Sequence, residues 1–134
     1  MDTYLLDTNI CIFFLRGKAE INAMIKLVGA ENCYISEITI AELLYGVECD
    51  RVNVSQNRRL VEGFINNAQI IPVSDAIRVY AKEKARLRRS GILIDDMDIF
   101  IGSTAIAHDM ILVTDNAKHL SRLSGIKTTN WVIR

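Results

Sequence analysis

Two short apolar runs in the chain each end on a carboxylate. Tyr4-Leu5-Leu6 is followed by Asp7, and the run from Met110 to Thr114 is followed by Asp115. Short apolar runs of this kind predict strands that are buried in a parallel sheet. The carboxyl ends of such strands meet at one edge of an open α/β sheet, and ligand sites lie outside that edge. The sequence therefore predicts that both acids reach a candidate site at this edge.

Size and composition predict a single domain that spans residues 1–134. Half of the residues are apolar and only one is a proline, which favours a compact domain over a disordered chain. The apolar stretch from Ile10 to Leu15 follows acids instead of basic residues, so it is not predicted to be a signal peptide. No run approaches the roughly 20 apolar residues of a membrane span, and no membrane association is expected.

The cysteines are odd in number and widely spaced, at Cys11, Cys33 and Cys49. No pair has the spacing of a zinc or redox motif, and three thiols cannot all pair within one chain. We therefore expect a reduced, cytoplasmic protein whose cysteines pack as small core residues.

Strand-like and helix-like segments alternate along the chain. The predicted strands are Thr3–Leu6, Cys33–Ser36, Ile70–Val73, Met110–Val113 and Trp131–Ile133. Six helices are predicted. The first has its cap at Thr8 or Asn9 and ends at Leu15, and the next three cover 20–28, 40–49 and 54–67. The fifth has its cap at Ser74 or Asp75 and ends at Arg89, and the sixth covers 97–107. Pro72 predicts an edge position for the third strand. The alternation predicts an α/β fold with a mostly parallel central sheet flanked by helices.

Most of the acids in these segments also have a structural explanation. Asp7 could cap the helix that follows it, and Thr39–Glu42 matches the capping-box pattern. Asp95 and Asp96 could cap the next helix and favour its positive end. Asp115-Asn116 could form a turn. Each explanation is plausible alone, yet together they require several acids to reach one sheet edge by coincidence.

Asp98 is harder to explain as a cap, because it lies in the first turn of a helix that is apolar on nearly every side. If it meets the other acids, two carboxylates about 4 Å apart would repel by about 4 kcal/mol at an effective dielectric constant of ~20. Such a cluster needs a bound cation or raised pKa values. No lysine or arginine is near these acids in sequence, so we predict a divalent cation with oxygen ligands.

Four segments of the chain together form a specific pattern in their order and spacing. They are Tyr4–Ile10, Ile35–Leu43, Asp98–Ala105 and Leu112–Asn116. With these segments the chain resembles the PIN-domain family, in particular toxins of the VapC type, and the resemblance extends from end to end. The resemblance implies a PIN-like fold and the activity of an endoribonuclease that depends on Mg²⁺ or Mn²⁺.

The resemblance also implies a set of site residues. The first three acids of the family fall on Asp7, Glu42 and Asp98, and the fourth falls on Asn116. Either Asp115 or Asn116 could therefore be the fourth catalytic and metal-binding residue. Asp96 could be an accessory ligand or only a cap. Supporting hydrogen bonds to carboxylates or to a phosphate would come from Thr8, Asn9 and Thr114.

In this interpretation the metal polarises a scissile phosphate and activates a water molecule. Asp7 and Asp98 hold the metal most directly, and Glu42 either binds the metal or orients the water.

A run of basic residues shares one face of a predicted helix. Its members are Arg78, Lys82, Arg86 and Arg89. A solvated helix face is the ordinary explanation. Because Glu83 is the only acid among them, we predict instead that this face follows the phosphates of an RNA substrate.

The segment Ile10–Leu15 is more apolar than an amphipathic surface helix needs to be. Core packing accounts for most of it, and the excess would suit a groove for a protein partner. The resemblance implies such a partner, an antitoxin whose C-terminal segment lies near the active site. It also implies a homodimer of the toxin.

Three alternative functions stay open at this point. One is a PIN-like nuclease of RNA maturation or DNA repair that uses the same acids. Another is a metal-binding signalling module, with Asp7 or a neighbour as phosphoryl acceptor and Lys118 as its lysine. The third is a binding protein that has lost catalysis, although the presence of all three acids argues against it.

Overall fold

The computed structural model describes residues 1–134 and contains a five-stranded sheet surrounded by helices. The strands are β1 (Tyr4–Leu6), β2 (Cys33–Ser36), β3 (Ile70–Ile71), β4 (Ile111–Val113) and β5 (Lys127–Thr129). The helices are α1 (Thr8–Leu15), α2 (Ala19–Val28), α3 (Glu37–Cys49), α4 (Val54–Asn67), α5 (Ile77–Arg89), α6 (Asp96–Ala107) and α7 (Ala117–Leu120). All strand pairs are parallel, in the order β3-β2-β1-β4-β5, which confirms the predicted α/β fold.

The central strands are apolar because both faces of the sheet are covered. Leu5 and Leu112 face a core that α5 and α6 complete. Leu6 and Val113, one residue further along each strand, face a second core that α1 to α4 complete. Successive side chains of a strand point to opposite faces, so a strand covered on both sides needs an unbroken apolar run. This packing explains the two runs that end on carboxylates.

The strand order places the carboxyl ends of β1 and β4 side by side. Leu6 pairs with Val113, and the Asp7 amide continues the ladder by donating to the Val113 carbonyl at 2.9 Å. From β1 the chain moves outward through β2 to β3 and then crosses back to place β4 on the other side of β1. Ligands bind at such a switch point in open α/β sheets. Residues that directly follow β1 and β4 are therefore well placed for a site.

Three helix starts differ from the predictions. Helix α1 begins at Thr8 with Asp7 as its N-cap, so the prediction that Thr8 or Asn9 caps this helix is wrong. Helix α3 begins at Glu37, where the Ser36 hydroxyl accepts from the Ile38 amide at 3.0 Å. Thr39–Glu42 is therefore within the helix, and the capping-box interpretation is wrong. Helix α5 is preceded by a 3₁₀ turn over Val73–Ala76 and begins at Ile77 without a side-chain cap. The prediction that Ser74 or Asp75 caps this helix is also wrong.

The predicted strand over Trp131–Ile133 is wrong as well. The last strand is β5, and Trp131 follows it with a buried side chain whose ring centroid is 5.5 Å from that of Tyr4. An apolar residue near the chain end can be buried by packing alone, without strand pairing.

Other expectations about the fold have mixed outcomes. Strand β3 lies at the edge of the sheet, as the proline predicted. Six residues of α6 are buried, which confirms the predicted buried helix. Cys11 is buried, whereas Cys49 is exposed and is not a core residue. None of the helices has the length and apolar character that crossing a membrane would require.

Candidate active site

Asp7 leaves the carboxyl end of β1 as the N-cap of α1, and its side chain is only 5% exposed. The Thr8 amide donates to Oδ1 at 2.8 Å, and the Thr114 hydroxyl donates to Oδ2 at 2.7 Å. Burial raises the pKa of Asp7, and these hydrogen bonds oppose that rise. Asp7 is thus both a cap and a buried, oriented carboxylate, so the two explanations of this residue are compatible.

Glu42 lies in α3 and reaches the same region through buried hydroxyls. The Thr8 hydroxyl donates to Glu42 Oε1 at 2.6 Å and lies 3.0 Å from the Thr39 hydroxyl. Because a hydroxyl carries one proton, Thr8 accepts from Thr39 while it donates to Glu42. Two fully or nearly buried threonines therefore fix the orientation of this carboxylate.

Asp98 lies in the first turn of α6, which begins after the N-cap Asp95. Its side chain is half-buried, and burial is the main reason that its pKa is raised to about 6. The negative charges of Asp7, Asp95 and Glu42 add to this rise. The carboxylates of Asp7 and Glu42 are therefore near enough to Asp98 to disfavour its ionised form.

The acids line one cavity of about 290 Å³ at the carboxyl edge of the sheet. Its lining residues are Asp7, Thr8, Asn9, Ile12, Glu42, Tyr45, Asp98 and Asn116. The donor set is carboxylate, amide and hydroxyl oxygen, which is the chemistry that Mg²⁺ and Mn²⁺ accept. No three of the acidic side chains are close enough to hold one ion together. Mg²⁺ keeps several waters and is usually bound by one or two carboxylates, so it does not require three.

The structure separates Asp115 from Asn116. Asn116 lines the cavity, and its amide donates to the Thr114 hydroxyl at 2.9 Å. The Asp115 carboxylate instead accepts from Asn130 at 3.0 Å and is paired with Arg134, and these contacts lower its pKa. Asp115 is therefore engaged with the C-terminal segment and does not line the cavity.

Asp96 also lies outside the cavity. Its Oδ1 accepts from the Tyr80 hydroxyl at 2.8 Å and lies 2.8 Å from the Lys84 ammonium. Hydrogen bonds from Lys84 and Tyr80 lower the pKa of Asp96. In the structure this acid connects α6 to α5.

The predicted basic face of α5 is only partly free. Its solvent-exposed members are Arg78, Lys82 and Arg89. Arg86 is half-buried, is paired with Glu83 at 3.0 Å and donates to the Arg122 carbonyl at 2.6 Å. Glu83 is itself buried and accepts from the Ser124 amide. Arg86 therefore has a structural role in attaching α5 to the segment before β5.

Three residues at the site were absent from the predicted set. The sequence pattern favours a helix cap at Thr39, and only its position within α3 brings it into contact with Thr8. Ile12 and Tyr45 line the cavity. Tyr45 could have been found from its spacing, because it is three residues after Glu42 and side chains at this spacing share a helix face.

Comparisons with known proteins agree with this architecture. The family model described as "PIN domain" matches residues 4–126. The chain is 31% identical over 130 residues to the "tRNA(fMet)-specific endonuclease VapC" of Shigella flexneri, and the match covers 96% of this chain and 97% of that protein. It is 33% identical over 131 residues to "Ribonuclease VapC2" of Rickettsia felis, with coverage of 96% and 97%.

A solved structure has the same fold. The DNA-bound VapBC of Salmonella typhimurium contains a chain that superposes with a TM-score of 0.90 at 30% identity, covering 98% of this chain and all of that one.

Proposed function

The chain belongs to the PIN domain family, and from this premise we propose that it is a divalent-metal-dependent endoribonuclease and the toxin of a toxin–antitoxin pair. The observation that carries the proposal is the cavity in which Asp7, Glu42 and Asp98 meet. The names of the relatives support a nuclease that acts on RNA.

The residues of the cavity are proposed to have two roles, metal binding and orientation of the attacking water. Asp7 and Asp98 would hold the metal, and the side-chain oxygen of Asn116 would serve as the further ligand in place of Asp115. When bound, the metal supplies Lewis-acid polarisation of the scissile phosphate and of a water molecule. Glu42 accepts a hydrogen bond from Thr8 through Oε1, which leaves its other oxygen to orient and deprotonate the water.

Binding of the RNA backbone is proposed for the exposed basic residues of α5, because α5 packs directly against α6, which carries Asp98. The residues are Arg78, Lys82 and Arg89. Replacing all three with glutamine should make the negative slope of log affinity against log salt concentration less steep by roughly 2, since each phosphate contact on a single strand contributes about 0.7. A matched triple variant at Lys26, Lys118 and Lys127 provides the control, and an equal loss of slope there would contradict the proposed site.

The cognate antitoxin is proposed to occupy an apolar groove between α1, α2, α4 and β2. The groove has a volume of about 430 Å³, and its lining includes Phe14, Leu15, Ile25, Leu60 and Phe64. The relatives and neighbours named VapC and VapBC support such a partner. Phe14 and Leu15 belong to the apolar segment that predicted a docking groove.

A charged residue in the groove tests this placement. Leu60 is 48% exposed, so Leu60→Asp should leave the fold intact but prevent a co-expressed antitoxin from neutralising the toxin. Leu27 is 76% exposed and lies outside the groove, so Leu27→Asp is the matched control. Neutralisation that survives Leu60→Asp would place the antitoxin elsewhere.

We also propose that the toxin forms a homodimer. Sedimentation equilibrium of the purified protein measures this directly, and a single species of 15.1 kDa at all concentrations would contradict it.

The central experiment is cleavage of a mixed RNA pool by purified protein with Mg²⁺ or Mn²⁺ and with EDTA. Asp98→Asn keeps the size of the side chain and removes a charged ligand, so we expect cleavage to disappear in EDTA and in this variant. Asp109→Asn is the matched control. Asp109 is exposed and precedes β4, so it lies at the amino ends of the strands, whereas the cavity lies at their carboxyl ends.

Each alternative function has its own outcome. Cleavage of DNA in preference to RNA would favour a repair nuclease. Metal binding without cleavage of either would favour a binding protein. The signalling module has the least support, because Lys118 lies in α7 with an exposed side chain and does not line the cavity.

A further inference from the structure

Only one aromatic side chain of this protein is exposed. The chain has nine aromatic residues, and eight of them are buried or half-buried. The exception is Tyr45, which is 71% exposed. A single exposed apolar or aromatic residue is ordinary on a protein surface. Its position is what distinguishes Tyr45, because this ring lines the cavity that contains the carboxylates.

Helix geometry accounts for that position. Tyr45 follows Glu42 by three residues in α3, so both side chains project from the same face of the helix. Thr8 and Thr39 hold the Glu42 carboxylate, and Tyr45 is one turn further along. The ring is thus attached to a rigid helix beside the proposed reaction centre.

The volume of the cavity limits what it can contain. At about 290 Å³ it lies just below the roughly 300–1,000 Å³ of pockets that enclose whole ligands, and it is open to solvent. A phosphate group with its cation can enter, while the nucleobases on either side must lie outside. The exposed ring of Tyr45 is the only aromatic surface at the cavity. Ile12, its other apolar lining residue, is half-buried.

We propose that Tyr45 stacks on an unpaired nucleobase next to the scissile phosphate and thereby positions the RNA for cleavage. This role rests on the proposed ribonuclease function. Every base has a π face, so stacking on an aromatic side chain binds single-stranded nucleic acid without reading its sequence. The basic residues of α5 and the stacking ring of α3 would then hold the backbone and the base separately.

The test compares Tyr45→Leu with Tyr45→Phe on a short single-stranded RNA that contains one mapped cleavage position. We expect Tyr45→Leu to raise KM about 5- to 20-fold while kcat changes less, since stacking contributes to substrate binding. Tyr45→Phe keeps the π face and should restore KM. Unfolding midpoints of both variants should equal that of the wild type, because the ring is exposed. Leu27→Ala provides a control for removal of an exposed apolar side chain elsewhere.

A second arm identifies the partner of the ring. Abasic nucleotides are placed one at a time on each side of the cleavage position. At the stacked position, base removal should raise the KM of the wild type and have little further effect on Tyr45→Leu, because both changes delete one contact. An unchanged KM in Tyr45→Leu would overturn the stacking role. So would an abasic substitution that raises the KM of Tyr45→Leu by the same factor as that of the wild type. Failure of the wild type to cleave any RNA would instead overturn the proposed function.

Discussion

At the scale of single residues, the hydroxyl groups of threonine determine how the carboxylates are presented. Thr114 accepts from the Asn116 amide and donates to Asp7, while Thr8 accepts from Thr39 and donates to Glu42. The rotamers of Asp7 and Glu42 are thus set before any ligand binds. Mutation of groups that orient metal-binding side chains in this way typically lowers metal affinity or activity about 10- to 100-fold.

Thr114→Val removes the hydroxyl that donates to Asp7 while it keeps the shape of the side chain. We expect RNA cleavage to fall about 10- to 100-fold, because Asp7 loses a fixed orientation. Thr114→Ser should recover most of the rate. Thr104 provides a matched control, since it is equally buried but donates only to the Phe100 carbonyl of its own helix. Equal losses in Thr104→Val and Thr114→Val would mean that the effect is only one of folding.

Asp98 should make the stability of the metal-free protein depend on pH. Its pKa is about 6 in the folded protein against an ordinary value of 3.8, so its ionised form is disfavoured by folding. The resulting decrease in the free energy of unfolding is fully present above about pH 6 and disappears as the pH falls towards 4. After allowance for solvent screening, Asp98→Asn should therefore stabilise the protein by about 1–2 kcal/mol at pH 7 and by nothing near pH 3.

Urea unfolding in EDTA at several pH values measures the effect of Asp98→Asn. Asp96→Asn is the comparison on the same helix, and it should act in the opposite direction at pH 7, because Lys84 and Tyr80 lower the pKa of Asp96. A destabilised Asp98→Asn protein at pH 7 would contradict the raised pKa.

At the scale of secondary structure elements, the site is assembled from strand ends and helix starts. Asp7 and Asn116 follow β1 and β4, and Asp98 occupies the first turn of α6. Glu42 differs, because it lies in the second turn of α3 and depends on how closely α3 approaches α1. Six residues of α6 are buried, so the packing of this helix fixes the position of Asp98 in the cavity.

Gly102 allows this close packing of α6. A Cβ at this position would lie 2.2 Å from Leu123 Cδ1 and 3.3 Å from Ile126 Cδ1, and Leu123 is only 2% exposed. Gly102→Ala must displace a buried side chain and should cost about 1–3 kcal/mol.

Gly63 in α4 provides the matched control for Gly102, since a Cβ there meets nothing within 4 Å. Gly63→Ala should stabilise the protein by about 0.5–1 kcal/mol through its better helix propensity. Thermal unfolding followed by circular dichroism distinguishes the two variants. A neutral or stabilising Gly102→Ala would show that the contact with Leu123 relaxes at no cost.

At the scale of the whole molecule, the C-terminal segment closes the structure over its first strand. The buried ring of Trp131 packs against Tyr4, and the Ile133 amide donates to Glu20 at 3.1 Å. Arg134 is paired with Asp115, next to Asn116 of the cavity. The last residues therefore connect β1, α2 and the segment that follows β4.

Trp131→Ala should destabilise the protein by about 3–5 kcal/mol, because it removes a large buried ring. That is a substantial part of the ~5–15 kcal/mol by which a domain of this size is stable. Ile133→Ala is the control, with a side chain that is 74% exposed, and it should have almost no effect. Chemical unfolding followed by circular dichroism measures both. A small effect of Trp131→Ala would mean that the C-terminal segment contributes little to the core.

The sequence alone predicts four of the five strands and the acids that follow β1 and β4, because these depend on local patterns, whereas the polar strand β5 over Lys127–Thr129 carries no such pattern. An apolar run followed by Asp7 specifies a buried strand and its end without knowledge of distant residues. The apolar character of α6 and the proline beside β3 likewise predict burial and an edge position. The same local reasoning fails for Trp131–Ile133, where an apolar segment is buried by packing and not by strand pairing.

Only the tertiary structure determines which side chains meet. Asp115 and Asn116 are neighbours in sequence, yet one contacts Arg134 and the other lines the cavity, because successive residues after a strand point in different directions. Thr39 contacts Thr8, which is 31 residues away in the sequence, and Arg86 donates to the carbonyl of Arg122, which is 36 residues away. Such contacts depend on the crossing of helices and on strand order. The sequence by itself thus determined the kind of chemistry, while the arrangement of α1, α3 and α6 around β1 decided which residues could take part in it.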